Sequence, residues 1–281
     1  MNYKLFANRK ILIVTKHKKE QVIAPLMEAF ELKPMLATQF DTDSLGTFSG
    51  EINRKDDPLT TLRKKCQLAM ELEGYDLAIA SEGSFGNHPS VFFAAADDEL
   101  VLLLDKKNNL EIIGRTLSLE TNFDASTIAT ETELIAFANK AKFPSHAVIL
   151  RPTKEDFSYQ KKGINNWEDL EYEFQYIKKE FGSCYIETDM RALYNPTRMQ
   201  VIAQATENLV EKMKSCCPIC ETPGFSITEA VKGLRCSICN LPTKSTLKYV
   251  LECQKCHHKE DQKFPNGIEK EDPMYCDYCN P

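Results

Sequence analysis

Four C-x-x-C pairs crowd the end of the chain, and they constrain its fold more than any other feature: Cys217/Cys220, Cys236/Cys239, Cys253/Cys256 and Cys276/Cys279. A C-x-x-C turn sets two thiolates on one side of a tetrahedral ion, and a second such turn closes the shell. Fifteen residues separate the first two pairs and nineteen the last two, both within zinc-ribbon spacing. The expectation is two zinc ions, eight ligands and no open coordination position, so the zinc is structural. Spacing leaves two pairings open: consecutive pairs share an ion, or first joins third and second joins fourth. Redox dithiols and iron–sulfur ligation suit four matched pairs less well. Cys216 reads as a spectator, and Cys66 and Cys184 as buried thiols. Nine of the eleven cysteines fall after residue 214, which puts a domain boundary there: residues 1–214, then a zinc-ribbon-like domain over 215–281.

Charge speaks against nucleic acid as the partner of such a tail. Residues 216–281 carry eight Lys/Arg and nine Asp/Glu, a balance of −1 that eight thiolates and two Zn²⁺ carry to about −5. The whole chain is at −6, with no basic run interleaved with aromatics. Contact with a protein partner, or stability alone, is the expected role. The longest apolar run near the start, ILIVT, is too short for a signal-peptide core, and none approaches bilayer length. The expectation is a cytoplasmic protein, with no membrane partner.

Before residue 214 the pattern alternates strands and helices, which predicts an α/β domain with a mixed sheet. RKILIVT (9–15) reads as a buried strand, 18–32 as a helix containing Pro25, MLATQF (35–40) as a strand, and 58–74 as a helix begun by Pro58 and ended by Gly74. DLAIAS (76–81) reads as a strand opening into the loop SEGSFGNHP. VFFAAA, ELVLLLD and EIIGRTLSLET follow as strands, the last two a hairpin across KKNN. A helix near 131–141, strands at 146–151 and 183–188, a helix near 168–181 and a long helix from Pro196 to Met213 complete the domain.

Polar loops at strand ends carry the candidate chemistry. TKHKKE (15–20) sets Lys16 and Lys19 at a helix start, where amide groups favour anions; a solvated helix start is the bland alternative. DTDSLGTFSGE (41–51) offers Asp43 and Glu51, oxygen donors of the kind Mg²⁺ takes beside water and substrate phosphate; an acidic surface turn is the alternative. In SEGSFGNHP, Ser84 precedes Gly86 as in a nucleophile elbow, but Glu82 stands where that motif needs its first glycine. Glu82 is therefore the better candidate, to orient or deprotonate water, with Ser84 as a phosphate donor. ETDMRALYNPTRM (187–199) adds Arg191 and Arg198, either a phosphate clamp or internal ion pairs with Asp189 or Glu187.

The order of these segments over residues 9–121 resembles the inosine/xanthosine triphosphate pyrophosphatases, a mixed α/β family with a T-x-N-x-x-K phosphate loop. His17 stands here in place of its asparagine and Glu20 in place of its lysine. A resemblance over nearly the whole chain is to an uncharacterised bacterial family marked by TDxLGTFxGE, SEGSFG, ETDMRA, NPTRM and terminal cysteine pairs. Carboxylates and cations on loops at successive strand ends give the expectation of a Mg²⁺-dependent nucleotide or phosphate-ester hydrolase, pyrophosphatase-like by the first resemblance. Lys16, Lys19, Arg191 and Arg198 would then hold phosphates, Asp43 and Glu51 the metal, and Glu82 the water. The rival expectation is a non-enzymatic ligand-binding or adaptor protein that docks a protein partner through its tail.

Overall fold

In a computed structural model, residues 5–41 and 56–281 are described. The chain divides into two compact units, one reaching Val210 and one from Glu211 to Pro281. No helix among the described residues is long and apolar enough to cross a membrane.

The first unit opens with β1 (Lys10–Val14), α1 (Glu20–Glu28), β2 (Lys33–Leu36), α2 (Pro58–Glu73), β3 (Leu77–Asn87), β4 (Ala95–Asp105) and β5 (Leu110–Ser118). They build a mixed five-stranded sheet in the order β2-β1-β3-β4-β5. β1 runs parallel to both neighbours, whereas β3, β4 and β5 form an antiparallel meander. β1 is KILIV with its last four residues buried, as a strand covered on both faces requires. The cap of α2 is written in its sequence: Asp57 accepts from the amides of Leu59 and Thr60 at 3.0 Å, Pro58 takes the first turn, and Gly74 ends it at φ 75°. Leu62, Cys66, Ala69 and Met70 of this helix pack on Leu12, Val14, Ala78, Ala80 and Leu102 of the sheet.

A second sheet, in the order β6-β9-β7-β8, is antiparallel throughout: β6 (Ala125–Ile128), β7 (Val148–Arg151), β8 (Lys161–Ile164) and β9 (Cys184–Thr188). Helices α3 (Glu131–Lys140) and α4 (Trp167–Phe181) cover it, giving a separate core around Leu150, Phe174 and Ile186. Thr130 and Glu133 start α3 with a capping box. The long helix α5 spans Pro196–Lys214.

Two expectations need correction. SEGSFGN is strand, the distal half of β3, paired residue by residue with β4 from Glu82↔Leu100 to Asn87↔Ala95. A nucleophile elbow needs a strand-to-helix turn here, and none exists. VFFAAA is not a strand of its own, because 91–94 belong to the hairpin turn and only Ala95 and Ala96 join β4. Phe92 and Phe93 are left exposed there. Strands β6 (ASTI) and β8 (KKGI), only four residues each, were not expected.

The second unit holds the sheet β10-β12-β13 (Ser226–Lys232, Thr246–Glu252, Lys259–Lys263) and a short parallel pair, β11 (Arg235–Cys236) with β14 (Lys270–Glu271).

Candidate functional site

Side chains alternate across a strand, so β3 and β4 sort their polar residues onto two faces. Ser81, Gly83 and Phe85 stand opposite Val101, Glu99 and Asp97 and share one face. Glu82 and Ser84, opposite Leu100 and Asp98, share the other, which α2 covers.

On the first face lies a buried charged cluster. Lys19, 5% exposed, donates from Nζ to Ser81 Oγ at 3.0 Å. Arg198 Nε donates to Glu99 Oε1 at 2.7 Å, with both side chains fully buried. The Arg198 guanidinium also donates to the Met190 carbonyl and lies 5.1 Å from the centre of the Phe85 ring. Asp97 is fully buried, and neither of its oxygens, nor Glu99 Oε2, has a hydrogen-bond partner among the described residues. Burial, and then the Glu99 carboxylate, push the Asp97 carboxyl up to about 8. Burial, and then Arg198, bring the Lys19 ammonium down to about 7. Gly83 makes room for this cluster, since a Cβ there would sit 2.2 Å from Glu99 Oε1 and 2.8 Å from Arg198 Nη2.

Arg198 is fixed by the start of its helix. Asn195 Oδ1 accepts from the Arg198 amide at 3.0 Å, and Asn195 Nδ2 donates to Asn122 Oδ1 at 2.8 Å. His146 Nε2 accepts from the Thr197 amide at 3.2 Å, which leaves the proton on Nδ1, directed at Ser145 Oγ 2.9 Å away. Burial holds the His146 pKa below its ordinary value, in keeping with a neutral ring.

The residues expected from sequence distribute unevenly. Lys19 and Arg198 come together in the cluster. Glu82 lies on the opposite face, in a buried ion pair with Lys65 of α2 at 2.5 Å. Ser84 shares that face, half-buried. Lys16 pairs with Asp41 at the surface, 2.5 Å apart. Arg191 pairs at 2.5 Å with Asp189, which also accepts from the Gly163 amide, and stacks on Tyr194. Asp43 and Glu51 lie outside the described residues. Ser81, Asp97 and Glu99 were overlooked, although Asp97 and Glu99 alternate on the same strand face as Val101 and Leu103. A carboxylate on an apolar strand face was the available signal.

A cavity of about 400 Å³ opens between α1 and α5, and no residue of the buried cluster is among its walls. Its walls include Lys18, Gln21 and Val22 on one side and Pro196, Met199, Gln200 and Ala203 on the other, so the turns that bear Lys19 and Arg198 also border it. His17 and Lys18 both adopt left-handed backbone, φ 65° and 61°. Two successive non-glycine residues in that region cost on the order of 1–3 kcal/mol each, a strain found where a loop serves a ligand.

In the second unit the eight cysteines gather as two quartets, Cys217/Cys220/Cys253/Cys256 and Cys236/Cys239/Cys276/Cys279, each with all four sulfurs within 4.8 Å of one another. The pairing is the interleaved one. Sγ···Sγ separations of 3.5–3.8 Å between the paired turns match the edge of about 3.8 Å for a tetrahedron with bonds of about 2.3 Å. Each quartet is a fit for a metal ion such as zinc. Three of the turns share one geometry: Glu221, Asn240 and His257, just after the second cysteine, are all left-handed, with φ from 56° to 59°. Their amides donate to the carbonyls of Cys217, Cys236 and Cys253. The Thr222 hydroxyl, 3.2 Å from Cys220 Sγ, is the largest influence bringing that thiol down to about 6. Backbone amides, first that of Cys239, bring Cys236 down to about 7.

A mixed α/β unit with a buried charged cluster, followed by a module of two four-cysteine clusters that could each hold a metal ion, is the class of protein these features define. The chain belongs to the family described as Domain of unknown function (DUF6671), whose profile matches residues 65–281. That span includes Ser81, Asp97, Glu99, Arg198 and all eight cysteines of the quartets. No curated protein matches the sequence.

Proposed function

We propose that the first unit is a Mg²⁺-dependent hydrolase of nucleotides or other phosphate esters, pyrophosphatase-like in its reaction, and that two structural zinc ions hold the second unit. The observation that supports the hydrolase reading is the burial of Asp97 and Glu99 with three carboxylate oxygens unpartnered beside Lys19 and Arg198. Burying such charges works against folding, and an apolar substitute is often as stable or more so. Strongly shifted titratable groups gathered in one place are candidates for a working site.

Two carboxylates are the protein share of a Mg²⁺ shell, with water and substrate phosphate completing it. Asp97 and Glu99 would hold the ion, in place of the Asp43 and Glu51 expected from sequence. The ion would supply charge neutralisation at the phosphoryl group. Arg198, whose planar guanidinium matches phosphate geometry, would hold phosphoryl oxygens. Lys19, near neutrality in its burial, would take the proton from the attacking water. The leaving oxygen departs with the electron pair of the broken P–O bond. Glu82 would act through Lys65 to position α2, not on water. The test is a panel of canonical and deaminated nucleoside triphosphates with Mg²⁺; release of neither phosphate nor pyrophosphate from any of them refutes the reading.

A non-enzymatic adaptor role is favoured by a different observation. Ile219, Ile238 and Tyr278 sit inside three of the C-x-x-C turns and are 68–75% exposed, apolar side chains available to a protein partner. If this reading holds, Ile238→Asp and Tyr278→Asp abolish partner capture by the full chain, and no phosphate ester is turned over.

A further inference from the structure

We infer that the cavity between α1 and α5 is the seat of a neutral planar heterocycle, the organic body of a phosphate-ester substrate. This rests on the phosphate-ester reading above for its phosphate end only. The cavity itself is argued from its own walls.

At about 400 Å³ it falls in the range of small-molecule sites, which are largely apolar with a few placed polar groups. Val22 of α1, Leu193, and Pro196, Met199 and Ala203 of α5 make it apolar. A polyol such as a free sugar would leave its hydroxyls unpaired there. Its polar lining consists of two uncharged amides, Gln21 from α1 and Gln200 from α5, and one cation, Lys18. Each amide offers both a donor and an acceptor, so two from separate helices suit a ligand edge that mixes ring nitrogens and carbonyls. A simple aliphatic chain would leave both unused. The Met199 thioether adds a polarisable contact of the kind that favours aromatic rings. Lys18, one residue before Lys19, marks the end where negative charge belongs. Apolar walls, paired amides and one terminal cation together describe a phosphorylated heterocycle with the ring innermost between the helices.

The test uses the full metal-loaded chain and adenosine, inosine and uridine, which carry the heterocycle and no phosphate, with ribose 5-phosphate as the probe that carries phosphate and no heterocycle. Binding is followed by calorimetry or ligand-observed NMR. The expected result is that at least one nucleoside binds, that Ala203→Phe, which fills the cavity, weakens it at least tenfold, and that neither change is matched for ribose 5-phosphate. Gln200→Leu keeps the volume and removes one amide. It is expected to weaken nucleosides several-fold and to flatten the preference among them, which keeps the inference testable if the phenylalanine variant does not fold. Nucleosides that fail to bind, or that bind both variants as they bind the wild type, overturn the inference even if phosphate esters are cleaved. Variant-sensitive nucleoside binding without cleavage of any phosphate ester upholds the cavity and removes the hydrolase.

Discussion

Asp97→Asn should stabilise the first unit at alkaline pH and lose that advantage in acid. The wild-type carboxyl ionises near its ordinary 3.8 when the chain is unfolded, but only at about 8 when folded. Between those values the folded state binds the extra proton, so unfolding free energy falls as pH rises. At about 1.36 kcal/mol per unit the penalty at pH 8 is on the order of 5 kcal/mol. Asparagine escapes it but leaves a buried amide unpaired, at about 1–3 kcal/mol. The net expectation is a gain of roughly 3 kcal/mol at pH 8 and a loss of about 1–3 kcal/mol near pH 4. Trp167, the one tryptophan of the chain, packs edge-on against Phe143 with ring centroids 4.8 Å apart and reports on the first unit alone. Urea melts followed by its fluorescence from pH 4.5 to 8.5 give the comparison. A wild-type stability that does not fall across that window, or a variant with the same slope, refutes the burial argument.

Three further outcomes follow from the same geometry. Metal analysis should find two zinc ions per chain; Cys217→Ser with Cys253→Ser should cost one ion and Cys217→Ser with Cys236→Ser both, the reverse of what consecutive pairing requires. Gly83→Ala drives a Cβ into the Glu99 carboxylate and separates it from Arg198, so the same melts should show a loss of about 3–5 kcal/mol; a loss under 1 kcal/mol would mean the pair relaxes freely. Lys18→Gly relieves the left-handed φ of 61° and should stabilise by about 1 kcal/mol while weakening phosphate-bearing ligands, and a destabilised variant would show that the loop is not strained.

Much of this was legible in the residues. The C-x-x-C spacing located the cysteines of both quartets, because a two-residue gap is itself the ligand geometry; only the pairing was hidden, since it depends on how β12 returns Cys253 to Cys217. Asp57, Pro58 and Gly74 marked α2 because capping is a local interaction. SEGSFGN misled because serine, glycine and asparagine disfavour strands. β4 nevertheless supplies a full ladder of partners, and Gly83 is present for Glu99 and Arg198, not for a turn. Asp97 and Glu99 were missed for a different reason: ELVLLLD was read as a strand, but only the register shows that Glu99 and the preceding Asp97 line one buried face of it. Lys19 and Arg198 were legible as cations, but their meeting is a long-range contact that no local pattern encodes.

The claim on which the account turns is that Asp97 and Glu99 form a metal site and are not merely buried acids. Electron paramagnetic resonance of Mn²⁺ added in place of Mg²⁺ to the zinc-loaded chain tests it directly. The account predicts one bound Mn²⁺ per chain, displaced by Mg²⁺ and absent in both Asp97→Asn and Glu99→Gln. Binding that persists unchanged in these variants, or no bound Mn²⁺ in the wild type, contradicts it.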